Sequence, residues 1–117
     1  MFRKNIKYTD FNGNVCEEEA FFNLTVSELI DIEAEFEGGF ENAIKMAAEK
    51  EDSASMISIF KKLIIRSYGI KSADGKRHSK ITDTGTSIGL EFTQTAAFDA
   101  LFSEIYRDWE TDRKSVV

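Results

Sequence analysis

The sequence predicts an α+β fold in which an N-terminal β-hairpin packs on a small bundle of about four helices. Three observations lead there. Two strand-like runs flank Asn12-Gly13 near the N-terminus. Thr25-Val26-Ser27-Glu28 is a capping box opening a run with helical spacing. Met56 to Tyr68 is apolar at helical period and stops at Gly69.

In the first arm of the hairpin, Phe2, Lys4, Ile6 and Tyr8 share one face and Arg3, Asn5 and Lys7 the other. Asn12-Gly13 supplies the positive φ angles of a tight turn. The return arm, ending near Phe22, sets Glu17, Glu18 and Glu19 opposite the basic first arm, where cross-strand charge pairing is expected. Thr25 caps a helix running to about Phe36, with Leu29, Ile32 and Phe36 on its apolar face. Gly38-Gly39 stops it. Phe40 to Glu49 forms a second, short helix through Phe40, Ala43, Ile44 and Ala47. The third helix, about Ala54 to Tyr68, is the central one, and Gly69 is its expected C-cap.

Asp74-Gly75 turns between two short extended arms. Ser79 to Gly89 is rich in Ser, Thr, Asp and Gly and is expected to be a mobile loop. Thr93-Gln94-Thr95 caps a last helix carrying Ala97, Phe98, Leu101, Phe102 and Ile105. The core is expected to centre on Leu29, Ile32, Ile57, Phe60, Leu63, Ile64, Phe98, Leu101 and Phe102.

A chain of 117 residues is one domain by the usual prior. Its 42% hydrophobic and 31% charged residues place it with globular proteins. A net charge of -6 repels phosphate, so neither a nucleic acid nor an anionic membrane is expected as partner. No run approaches the roughly 18 apolar residues of a transmembrane helix. The polar start, Met1-Phe2-Arg3-Lys4-Asn5, lacks the apolar core of a signal peptide. Cys16 is the single cysteine, which suits a reducing compartment.

Little in the chain points to catalysis. His78 is the only histidine, has no nucleophile beside it in sequence, and reads as a solvated loop residue. Acidic neighbours raise the Cys16 thiol pKa, the wrong direction for a nucleophile. There are too few Cys and His for a zinc site. Glu33, Glu35, Glu37 and Glu41 lack the spacing of a calcium loop. The glycines form no phosphate-cradling pattern. The basic run Lys71, Lys76, Arg77 and Lys80 reads as a solvated turn. No catalytic residue, cofactor or metal is expected. What remains is a protein-interaction role, for which the ten Phe could supply a sticky face.

The order Tyr8-Thr9-Asp10-Phe11-Asn12-Gly13-Asn14, Phe21-Phe22-Asn23-Leu24-Thr25 and Glu28-Leu29 resembles small tail assembly chaperones of long-tailed phages and prophages of Gram-positive hosts. Ser67-Tyr68-Gly69-Ile70-Lys71-Ser72, Asp74-Gly75-Lys76-Arg77 and Glu91-Phe92-Thr93-Gln94-Thr95-Ala96-Ala97-Phe98 extend the resemblance to most of the chain. It implies a non-enzymatic factor in the host cytoplasm that binds the tape-measure protein while tail-tube subunits polymerise around it. The tail-tube protein is a second candidate partner, and homo-oligomerisation is compatible with the role. Many relatives are made in two lengths by frameshifting near the C-terminus. Phe36, Phe40 and Met46 are the expected partner-binding residues, because the second helix is thinly apolar and easily left exposed.

Two departures from the family pattern stand out. His78 occupies a place where an aromatic or apolar residue is expected, and Ser79 to Gly89 is longer and more polar than usual. Asp112-Arg113-Lys114-Ser115-Val116-Val117 resembles translated sequencing-adapter read-through. The chaperone-like domain is therefore expected over residues 1–108, with 109–117, including Trp109, a doubtful tail. The alternative function is a structural tail or head–tail connector subunit retained in the virion. The hairpin and the 79–89 segment would then join neighbours.

Overall fold

The computed structural model describes the backbone of residues 1–115 and the side chains of 1–111. The side chains of Asp112 to Val117, singled out above, lie outside that range. The chain is α+β, as its periodicities predict. Strands β1 (Phe2–Thr9) and β2 (Val15–Phe22) form an antiparallel hairpin with Ile6 opposite Glu18. Helices α1 (Val26–Glu35), α2 (Phe40–Glu49) and α3 (Ser53–Ser67) follow. Strands β3 (Tyr68–Lys71) and β4 (His78–Ser79) complete a sheet of order β1-β2-β3-β4. Helices α4 (Ile88–Phe92) and α5 (Ala96–Ser115) close the chain.

The hairpin faces fall as alternation requires: Ile6, Ala20 and Phe22 are buried. Its loop is longer than the tight turn Asn12-Gly13 predicts. Asp10 Oδ1 accepts the amides of Asn12 and Asn14, and only Gly13 of the pair has a positive φ. Charge pairing across the strands is partial. Arg3 meets Glu19 at 3.5 Å, whereas Glu17 accepts from the Asn5 amide and Glu18 from the Tyr8 hydroxyl.

Helix α1 begins with both arms of the capping box. Thr25 Oγ1 accepts the Glu28 amide at 3.2 Å, and Glu28 Oε1 accepts the Thr25 amide at 3.0 Å. Asp52 caps α3 by accepting the Ser55 amide at 3.1 Å.

Two apolar clusters result. The first joins Ile6, Ala20 and Phe22 to Ile64, Phe92, Ala97, Phe98 and Leu101. Phe92 is its hub, stacked on Tyr68 at 3.8 Å between centroids and edge-on to Phe98 at 5.7 Å. The second is smaller: Ala47, Met56 and Ile59, with Phe36, Phe40, Phe60, Leu63 and Trp109 packed around them. Trp109 lies edge-on to Phe60 at 6.2 Å.

Several expectations are corrected here. Leu29 is 50% exposed and outside the core. Helix α1 is held along the line of Ile32 by Glu28–Lys80 and by Glu35 with Lys62 and Arg66, and that line leaves Leu29 pointing outward. Ile57 is half-buried on the outward side of α3, while Met56 and Ile59 take the buried positions. Gly69 is a strand residue paired with Phe21, not a helix cap; the cap is Tyr68, already extended. A Cβ on Gly69 would lie 2.4 Å from the Ser79 carbonyl oxygen, so strand approach is what demands glycine.

The 79–89 segment is built rather than irregular. Thr82 and Thr86 close a turn through Thr82 N–H to Thr86 O at 2.8 Å, an Ile81–Ser87 bridge follows, and α4 starts at Ile88.

Candidate interaction surfaces

Between α2 and α3 runs an open apolar groove of about 330 Å³. Its shape starts at the end of α1. Phe36 leaves the helix in an extended conformation, and Gly38 and Gly39 turn the chain with φ of 78° and 94°. Gly39 offers no side chain to cap α2, so Glu33 does that work: its carboxylate accepts the Phe40 amide at 3.1 Å. A carboxylate at a helix N-terminus also meets the favourable end of the dipole. The chain reversal lays the Phe36 ring edge-on to Phe40 at 5.5 Å, with Lys62 Nζ 5.0 Å from its centroid.

Phe36, Ala43, Met46, Ala47 and Ile59 line the groove, with Lys50 and Asp52 among the polar residues at its walls. Of the three side chains predicted for partner binding, Phe36 and Met46 meet in this groove. Phe40 packs against the second cluster and touches the groove only through Phe36.

Two further surfaces escaped the sequence reading. The outer face of α1 presents Val26, Leu29, Ile30 and Ala34. Its signal was legible: α1 is apolar at 26, 29, 30, 32 and 34, more than one buried stripe needs. The outward side of α3 carries Ala54, Ile57 and Ile65 among Lys61, Lys62 and Arg66. Ile57, expected in the core, lies on this side. Exposed Phe11 and Val15 also mark the hairpin end.

The residues weighed for chemistry are placed elsewhere. His78 is not a solvated loop residue. It lies half-buried in β4, its Nε2 3.0 Å from the Ser67 carbonyl oxygen. Among the described residues its buried Nδ1 has no partner. Cys16 Sγ lies 3.6 Å from Asp10 Oδ2 and from the Asn14 carbonyl oxygen. Desolvation, then the Asp10 charge, raises its thiol pKa, which leaves a poor nucleophile. Among the described residues no group of three Cys, His, Asp or Glu side chains is placed to hold a metal ion. None of their helices is long and apolar enough to cross a membrane.

Lys80, read as a solvated turn residue, instead ties α1 to α3. Its ammonium donates to Glu28 at 2.7 Å and to the Arg66 carbonyl oxygen at 2.6 Å. What the described surface offers is therefore apolar relief on a helical scaffold.

A sequence model of a family described as phage tail assembly chaperone matches residues 1–114. Neither the curated proteins nor the solved structures contain a match. The match spans nearly the whole chain, and the chain belongs to the phage tail assembly chaperone family.

Proposed function

We propose that this member of the phage tail assembly chaperone family acts without catalysis, in the host cytoplasm, by holding apolar helical segments of the tape-measure protein during tail-tube assembly. The observation that carries the reading is the open groove between α2 and α3, where Phe36 and Met46 meet. An amphipathic helix docks in such a groove through apolar anchors one turn apart. The family supports a partner within tail assembly. A long apolar helix would aggregate if left bare, and an acidic cover keeps the complex soluble. Phe36, Phe40 and Met46 remain the proposed partner-binding set, with Phe40 bracing Phe36 from behind.

The test is co-expression with the tape-measure protein of the same phage, followed by affinity capture and light scattering. A soluble complex is expected, with the tape measure insoluble when expressed alone. Met46 is 44% exposed, so Met46→Asp spares the fold. It should weaken the complex by roughly 10-fold or more, the size of an interface anchor. If the tape measure stays insoluble and this chain assembles by itself, the virion-subunit reading replaces the chaperone one. The sheet order favours that alternative in one respect: β1 is an edge strand. Persistence of the protein in purified particles separates the two.

A further inference from the structure

The outer face of α1 is apolar where solvent would be expected. Val26 is 75% exposed, Ile30 64% and Leu29 50%. Val26, Ile30 and Ala34 follow one another at i, i+4 and i+8, the spacing of a ridge that packs into the groove of another helix. The inner side of α1 is fixed by buried Ile32 and by Glu28 and Glu35 in ion pairs, so the outer ridge is held in place before any partner arrives.

The chain that carries the ridge is acidic, and the cations bound to it, Lys62, Arg66 and Lys80, come from elsewhere in the fold and pair with Glu35 and Glu28. Between Lys7 and Lys45 the chain has ten Asp and Glu and no Lys, Arg or His. Near the ridge, Glu28 is spent on Lys80, Glu35 on Lys62 and Arg66, and Glu33 on the Phe40 amide. Asp31 and Glu37 make no ion pair among the described residues. A second copy of this chain is a poor occupant. Its own α1 would bring like charges against Asp31 and Glu37. Its basic α3 face has Lys62 and Arg66 already bound to Glu35.

We infer that the outer face of α1 is a second docking surface, for an amphipathic helix of another protein whose apolar stripe is flanked by Lys and Arg. The apolar stripe would cover Val26, Leu29, Ile30 and Ala34, and the flanking cations would meet Asp31 and Glu37. This surface is separate from the α2–α3 groove and does not depend on the tape measure being its ligand.

The probes are two designed helical peptides with the same Leu/Ile stripe, one flanked by Lys and Arg and the other by Glu, titrated against the full chain by fluorescence anisotropy. The basic peptide should bind roughly 10-fold or more tightly than the acidic one, and the difference should shrink as salt rises. Ile30→Lys should weaken the basic peptide roughly 10-fold or more. Asp31→Asn with Glu37→Gln should reduce its salt dependence, and Met46→Asp should leave it unchanged. If circular dichroism shows Ile30→Lys to be misfolded, Val26→Lys takes its place. Equal binding of both peptides, binding of neither, or indifference to both lysine variants overturns the inference. So does a dimer in light scattering that Ile30→Lys or Val26→Lys dissolves, because the occupant is then a second copy.

Discussion

At Gly89 the absence of a side chain is a packing requirement. An added Cβ would lie 1.9 Å from the Ile65 carbonyl oxygen, so α4 sits on the backbone of α3 with no room for a methyl group. Gly89→Ala must push the two helices apart, at a cost of about 1–3 kcal/mol; an unchanged urea midpoint would refute the contact. Glu28 shows a different dependence at the same scale. Desolvation raises its pKa, but the bonds from Lys80 and the Thr25 amide outweigh this and hold it below the ordinary carboxylate value. The carboxylate of Glu35 is lowered by its bonds to Lys62 and Arg66, against desolvation. A group depressed in the folded state contributes stability above its unfolded pKa and loses it as pH falls through the folded value. Stability should therefore drop below about pH 4, where ordinary carboxylates titrate. Glu28→Gln should be less stable than the parent at neutral pH and lose less on acidification. Parallel pH profiles for parent and variant would exclude Glu28 as a source of the acid loss.

Elements were legible where their signals are local. Thr25 with Glu28, and Gly38-Gly39, each mark a boundary through bonds within a few residues, and α1 and α2 begin or end at or near them. The same locality misread Gly69. A glycine after a helix looks like a cap from its neighbours, and its pairing with distant Phe21 is not written beside it. The polar run from Ser79 hid a turn, because Thr side chains that read as loop composition also bond the backbone: Thr82 Oγ1 accepts the Thr86 amide at 3.0 Å. Helix α4, from Ile88 to Phe92, is too short for its periodicity to stand out. The candidate site divides the same way. Phe36 and Met46 stand out in the sequence because α2 is thinly apolar, and both line the α2–α3 groove, while the outer face of α1 is hidden because Leu29 reads with Ile32 as one apolar face. The α1 cap is the element to test. Thr25→Ala removes the bond to the Glu28 amide and leaves Lys80 its carboxylate, so it should cost about 1 kcal/mol. A loss below a few tenths of a kcal/mol in chemical denaturation would mean that buried Ile32 and the ion pairs hold α1 without the cap.

As a whole the molecule is less closed than its mass calls for. Its accessible surface is 8069 Å², against about 6,500 Å² for a compact monomer of 13.3 kDa. Its radius of gyration is 15.6 Å, where about 13 Å is usual. Among the described residues most buried apolar side chains fall into two clusters of unequal size. The first has eight buried residues drawn from the hairpin, α3, α4 and α5; the second has three, Ala47, Met56 and Ile59. Helix α5 serves both, through Phe98 and Leu101 in the first and Trp109 in the second. A cluster with so little buried apolar surface opens at lower free energy than the rest of the fold. Amides of α2 should therefore exchange with deuterium before those of β1 and β2. Trp109 is half-buried, so Trp109→Ala should cost about 1–3 kcal/mol, less than a fully buried aromatic. It should speed exchange in α2 far more than in the hairpin. A ligand seated in the α2–α3 groove should slow α2 in turn, since binding stabilises the closed form by mass action. Uniform exchange across both clusters, or a Trp109→Ala effect as large in β1 as in α2, would show that the chain opens as one unit and that its groove is no easier to open than the rest of the fold.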